Sequence, residues 1–161
     1  MLMERTLVLI KPDALQRDIV GEIISRLERK GLKLVGMKMT TLSEDLLDEH
    51  YSHLRGKDFF PEIKSFMRST PVIASCWEGV DCVSTVRSLC GTTLAREAVP
   101  GTIRGDLAMS VQANLVHASD SIETAKAEVD RFFTSSELFN YEDRLEYFIY
   151  SSREAGTKEK V

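Results

Sequence analysis

Arg5-Thr6-Leu7-Val8-Leu9-Ile10-Lys11-Pro12 carries the reading on which the fold turns. The β-rich run ends at Lys11-Pro12, where proline cannot donate to a ladder, so a strand over residues 5–10 is expected to stop there. A short loop should follow, with Asp18 as the N-cap of a helix whose apolar stripe is Ile19, Val20, Ile23, Ile24 and Leu27. Gly31 offers the left-handed stop for that helix. Residues 32–40 alternate Val35, Met37 and Met39 against Gly36 and Lys38, the pattern of a half-buried strand. Strand, helix, strand is therefore the opening unit.

Working outward, Ser43 with Glu44 and Asp45 opens a second helix, and Leu46, Leu47, Tyr51 and Leu54 form its stripe. Pro61 can start a third helix carrying Ile63, Phe66 and Met67. After Pro71 comes an apolar strand, Val72 to Trp77, and then a helix over 80–90 with Val83, Val86 and Leu89 or Cys90 inward, closed by Gly91. From Thr92 to about Ala113 periodicity is lost, and Pro100-Gly101 and Gly105 mark a long loop, a length that usually signals function or an interface. Asn114-Leu115-Val116-His117 reads as a short strand. Asp120 and Glu123 form a capping box before a helix bearing Ile122, Ala125, Val129, Phe132 and Phe133. Two β-α-β units in tandem make an α/β or α+β domain. Spacing alone leaves open an antiparallel ferredoxin-like sheet and a small doubly wound parallel one.

Composition bounds the rest. With 161 residues, 43% hydrophobic and 29% charged, one globular domain over residues 1–151 is expected, with a charged, frayed tail over 152–161. No apolar run approaches the roughly 20 residues of a membrane span. Glu4, Arg5 and Lys11 interrupt the N-terminus where a signal peptide would need its apolar core. Cys76, Cys82 and Cys90 are too few and odd for a disulfide framework, so a reducing cytoplasm is expected. A net charge of −4 argues against nucleic acid as the partner.

The chain has neither a P-loop nor a G-x-G-x-x-G turn, so any phosphate would be held without a glycine cradle. His50 and His53 share a helix, but no further ligands follow at metal-site spacing, and two partly exposed helix histidines are expected. His117 ends a strand beside a loop, where sheets of this kind place reactive side chains. Glu128 falls at the edge of the stripe made by Ala125, Val129 and Phe132, so it faces partly inward. A carboxylate holding one ring nitrogen of His117 would leave the other poised as a nucleophile. Lys11, Arg87 and Arg104 could converge on polyphosphate, each contributing about 4 kcal/mol at ~4 Å before desolvation is subtracted.

The runs Glu4-Arg5-Thr6, Lys11-Pro12-Asp13-Ala14, Pro100-Gly101-Thr102-Ile103-Arg104-Gly105-Asp106 and Asn114-Leu115-Val116-His117-Ala118-Ser119-Asp120-Ser121 resemble those of nucleoside diphosphate kinases. His50-Tyr51, Phe59-Phe60 and Trp77-Glu78-Gly79 extend the likeness over about residues 4–150. The resemblance implies a ferredoxin-like βαββαβ sandwich with a four-stranded antiparallel sheet. It also implies ping-pong transfer of a γ-phosphoryl group from a nucleoside triphosphate to a nucleoside diphosphate through a phosphohistidine. His117 resembles the nucleophile, Glu128 the carboxylate that orients it, and Ser119 their neighbour. Lys11, Tyr51, Arg87, Thr93 and Arg104 resemble the phosphate ligands, with Lys11 and Asn114 also reaching the ribose. Phe59 resembles the aromatic on which the base stacks, and Val111 the apolar residue on its other face. Mg²⁺ is implied, bridging phosphates with no protein cage of its own. A homo-oligomer is implied, a hexamer in the first place and a tetramer in the second. Leu94-Ala95, Leu107 and Thr70 depart from the family pattern, the first three within the long loop.

Overall fold

Leu7, Val8, Leu9 and Ile10 are all fully buried, so this stretch of strand has no solvent face. In the computed structural model, which describes residues 3–142, 146–151, 153 and 154, this strand is β1 (Met3–Ile10). Its alternate residues feed two separate cores. Val8 and Ile10 pack with Ile23, Leu27 and Val86 on one side, while Leu7 and Leu9 pack with Leu47, Val129 and Phe132 on the other. A sheet covered on both faces explains why the run reads as continuously apolar and not as alternating.

Around β1 the chain lays down α1 (Pro12–Gln16), α2 (Val20–Arg29), β2 (Lys33–Thr40), α3 (Glu44–His50), α4 (Phe60–Met67) and β3 (Val72–Val80). It continues through α5 (Cys82–Cys90), α6 (Ile103–Leu107), β4 (Val116–Ala118), α7 (Ile122–Phe132) and α8 (Glu146–Ile149). The sheet order is β2-β3-β1-β4, and every neighbouring pair is antiparallel. That settles the alternative left open by spacing in favour of the ferredoxin-like arrangement. The expectation of fraying beyond residue 151 falls almost wholly outside the described residues.

Several local expectations hold. Ser43 Oγ accepts from the Leu46 amide, Gly31 follows α2 with a φ of 96°, and Gly91 caps α5 with a φ of 79°. Others are corrected. The loop after Pro12 is the helix α1, and Asp18 adopts φ 55° between two helices where it caps neither. Aspartate tolerates that left-handed conformation better than most residues. At α7 the cap is Ser121, whose hydroxyl accepts from the Thr124 amide, and not Asp120.

The alternation in β2 fails for a geometric reason. A register shift between Leu34 and Gly36 opposite β3 inverts the strand, so Val35 and Gly36 are buried while Met37 and Met39 are 49% and 63% exposed. One extra residue is enough to exchange the two faces. Gly36 can have no side chain there, because a Cβ would lie 2.8 Å from the Glu137 carbonyl.

The long loop is not featureless. It contains a helical turn at Ala95–Glu97 and the helix α6, whose cap Thr102 accepts from the Gly105 amide at 3.0 Å. The unusual residues of this stretch are accommodated by the core, where Ala95 is buried and Leu107 packs against the cluster that holds Ile103.

Candidate functional site

The three-residue edge strand β4 brings His117 alongside Leu9, on the side of β1 away from β3. Its short length follows from Leu115, which holds a φ of 74° immediately before the strand and whose amide donates to Asp13 Oδ2. On the α3–α7 side of the sheet, a cleft of about 950 Å³ opens against His117.

His117 Nε2 lies 3.0 Å from both oxygens of Glu128, and Ser119 Oγ donates to Glu128 Oε2 at 2.6 Å. An ionised carboxylate only accepts, so Nε2 must carry the ring proton and Nδ1 keeps its lone pair. Burial pushes the Glu128 carboxyl up, but the His117 and Ser119 hydrogen bonds outweigh it and hold the group below its ordinary value. Glu128 is thus an anion in a nearly dry setting, with its charge spent on orienting one imidazole.

Four cations line the same cleft, Lys11, Arg87, Arg104 and Arg131, the last of them paired with Glu49. Lys11 follows β1 directly, is buried, and donates from Nζ to Asn114 Oδ1 at 2.8 Å and to the Gln112 carbonyl. Burial lowers its pKa to about 8, with Asp13 opposing the shift and Arg104 adding to it. Arg104, on α6, is buried and donates to the carbonyls of Gly91 and Val116 at 2.6 Å each and of Asn114 at 3.3 Å. Those bonds draw the last turn of α5, α6 and β4 onto one guanidinium. Arg87 is exposed on α5.

Asn114 ties the remaining loops together, since its amide donates to the carbonyls of Thr93 and Val111 at 2.9 Å each. Thr93 and Val111 line the cleft, and Phe59 at the start of α4 presents its ring there about half exposed. Tyr51 is buried beside the histidines, its ring centroid 6.1 Å from that of His117, and burial raises its hydroxyl pKa. Every residue singled out from the sequence therefore meets at this one cleft, Ser119 through Glu128.

Two residues of the site escaped the sequence reading. His50, expected to be partly exposed, is 4% exposed, with Nδ1 3.7 Å from Glu128 Oε1 and its ring edge-on to His117 at 4.6 Å. Its position three residues after Leu47, on the stripe of α3, was the available signal. His53 is exposed, as expected. Asp13, which holds the Leu115 amide, was visible only as part of a motif.

His50, His117 and Glu128 offer ligand atoms within 4.8 Å of one another. Two imidazoles and one carboxylate suit a zinc-like ion, whereas Mg²⁺ requires a shell of oxygens. The three cysteines are all free and buried, separate from this cluster.

Fold and cleft together, a histidine held by a carboxylate beneath a cation-lined opening with no glycine-rich loop, are those of a phosphotransferase. The nucleoside diphosphate kinase family model matches residues 4–138. A nucleoside diphosphate kinase of Parabacteroides distasonis is 55% identical over 152 residues, covering 94% of this chain and 99% of the relative. Human nucleoside diphosphate kinase 3 is 47% identical over 147 residues, covering 91% of this chain and 87% of its own. Among solved structures, a halophilic nucleoside diphosphate kinase from Halobacterium salinarum in complex with CDP superposes with a TM-score of 0.91 at 42% identity, covering 93% of this chain and 100% of that one. This chain belongs to the nucleoside diphosphate kinase family, whose members move a phosphoryl group from one nucleotide to another.

Proposed function

We propose that His117 is the nucleophile of a ping-pong nucleoside diphosphate kinase reaction. In the first half, Nδ1 attacks the γ-phosphorus of a nucleoside triphosphate. The bond from that phosphorus to the β,γ-bridging oxygen breaks, and the diphosphate leaves with the electron pair. In the second half, a β-phosphate oxygen of an acceptor diphosphate attacks the same phosphorus and the P–N bond breaks, restoring neutral His117. The observation that carries this reading is the Nε2–Glu128 hydrogen bond, which leaves Nδ1 as the basic nitrogen beneath a cation-lined cleft.

Each remaining residue has a role that its chemistry fits. Glu128 accepts from Nε2 and stabilises the positive charge the ring acquires as the P–N bond forms, with Ser119 fixing the carboxylate. Lys11, Arg87 and Arg104 compensate the charge on the equatorial oxygens, which is most of what phosphoryl transfer asks of a protein. Tyr51 and Thr93 supply hydroxyls to the phosphates, while Lys11 and Asn114 reach the ribose hydroxyls. Phe59 and Val111 flank the base. A divalent ion arrives with the nucleotide as part of the substrate, and we assign Mg²⁺, which neutralises phosphate oxygens. The cleft fits that assignment, because Glu128, the buried carboxylate of the site, is committed to His117 and Ser119.

The primary test is intact-mass analysis of protein mixed with excess ATP and Mg²⁺ and quenched in alkali, which preserves a phosphoramidate. A species heavier by about 80 Da is expected, reverting on addition of a nucleoside diphosphate. Absence of that species overturns the reading.

Stacking on one ring face accepts any base, so Phe59→Ala should raise KM for purine and pyrimidine nucleotides alike by roughly tenfold, with kcat little changed. Steady-state kinetics with four nucleotides checks this. Loss confined to one base would contradict the assignment.

Lys11 supplies a pH prediction. Below a pKa of about 8 it carries its charge in the free protein, and above that value the cation is lost. The ratio kcat/KM should accordingly decline as pH rises through about 8. Lys11→Arg, which stays charged, should remove that alkaline limb. Linkage runs the other way for the fold: between the folded value of about 8 and the ordinary 10.5 the unfolded chain binds more protons, so stability rises with pH over that window.

A homo-oligomer, a hexamer before a tetramer, and a cytoplasmic location complete the proposal. Exposed Met37 and Met39 on edge strand β2 favour assembly. Among the described residues no helix is long and apolar enough to cross a membrane. Sedimentation equilibrium gives the subunit number directly.

A further inference from the structure

His50 has a cost that the fold does not require. Its ring packs edge-on against Tyr51, Phe132 and His117, with centroids 4.6, 5.2 and 4.6 Å away, a setting that phenylalanine would fill with no polar atom to satisfy. Instead an imidazole is buried there, and Nε2 has no hydrogen-bond partner. An unpaired nitrogen in a dry site lowers stability, which points to a use for the ring's other nitrogen.

That nitrogen, Nδ1, has two neighbours. Glu128 Oε1 lies 3.7 Å away and Arg131 Nη1 lies 3.5 Å away. If Nδ1 accepted from Arg131, the proton would sit on Nε2 as a buried orphan N–H, the costlier kind of unpaired group. Arg131 Nη1 can turn to water instead, since that side chain is 18% exposed, whereas the buried Nε2 of His50 cannot. The proton therefore belongs on Nδ1, pointing toward the Glu128 carboxylate. Ser119 holds Oε2 of that carboxylate, and His117 straddles both oxygens. Oε1 has only its share of the His117 bond, and His50 stands on that side.

We infer that His50 is a positioning residue whose Nδ1–H acts on Glu128 Oε1 as a further donor and so holds His117 in the Nε2–H tautomer that leaves Nδ1 free to attack. This rests on the reading of His117 as nucleophile. The separation of 3.7 Å is beyond a formed hydrogen bond. Contacts of this kind tighten once the reacting complex assembles. His50 touches neither nucleotide nor phosphorus in this scheme and acts only through the carboxylate.

The test compares His50→Phe, which keeps the ring, with His50→Asn, whose amide N–H can take the place of Nδ1–H. In His50→Phe, kcat should fall by about tenfold or more, the loss of one hydrogen bond to a charged group, with KM for ATP within about twofold of native. Nitrogen-15 spectra of labelled histidine should show His117 wholly Nε2–H in the native protein and as a tautomer mixture in His50→Phe. In His50→Asn both kcat and the tautomer should return to near native. A His50→Phe protein with native kcat and unmixed His117 overturns the inference. So does equal loss in both variants with the tautomer unchanged, which is the mark of packing alone. Should His50→Phe fail to fold, His50→Asn decides: native kcat supports the role and a tenfold loss ends it. Failure here leaves the phosphoryl-protein of the native chain intact, whereas failure of the underlying reading removes it.

Discussion

His117→Ala should abolish turnover, with kcat lower by at least about 10⁴-fold, equivalent to roughly 5.5 kcal/mol of lost transition-state stabilisation. The size of the effect comes from the absence of a substitute. His50, the nearest other imidazole, has its Nδ1 turned to Glu128 and its pKa lowered to about 3 chiefly by burial, so it is a weak base. Removing His117 also strips Glu128 of its main partner and leaves the anion with Ser119 and the more distant His50. The fold should survive, because His117 lies on an edge strand and is itself partly exposed. ADP binding by calorimetry should persist within about threefold, since the cations and Phe59 are untouched. A phosphorylated species in this variant would show that another residue accepts the phosphoryl group and would displace His117 from its role.

The second large effect is on stability, and it reaches the site from a distance. Gly105→Ala should destabilise the protein by about 3–5 kcal/mol and lower kcat/KM with it. A Cβ at position 105 would lie 2.1 Å from the Val99 carbonyl oxygen and 2.7 Å from its carbon, both backbone atoms that cannot rotate away. The preceding residue is Arg104, which joins Gly91, Asn114 and Val116 through their carbonyls. Any displacement of α6 therefore moves a cleft-lining cation and loosens β4 beneath His117. Urea denaturation measures the first consequence and steady-state kinetics the second. A variant of native stability would mean that the loop over 99–105 yields freely, contrary to the contacts it makes.

How legible each part was follows from the kind of information it needed. The apolar run of β1 was plain, because burial on both faces leaves no polar residue to interrupt it. Ser43 and Gly31 were plain too, since a cap and a left-handed stop depend on neighbours a few residues away. Glu128 could be placed at the edge of its helix stripe by periodicity alone, and it is buried there. Arg104 could not be placed, because its partners come from three separate segments. The exposure of Met37 and Met39 was equally hidden: it stems from a shift in pairing with β3, which strand composition does not encode. For His50 the stripe of α3 pointed inward, but spacing to a sequence neighbour said nothing of the Glu128 carboxylate on α7.

Taken alone, the amino-acid sequence determined most of the strands and helices, α1 and α6 aside, which residue types are available for phosphoryl chemistry, and the family to which the chain belongs. These rest on short-range periodicity and on motifs whose members lie side by side in the chain. Only the tertiary structure decided that the sheet is antiparallel, that α6 carries Arg104 into contact with β4, and that His117 meets Glu128 through Nε2. Each of these depends on contacts between segments far apart in the chain, and their geometry exists only once both cores have closed on β1.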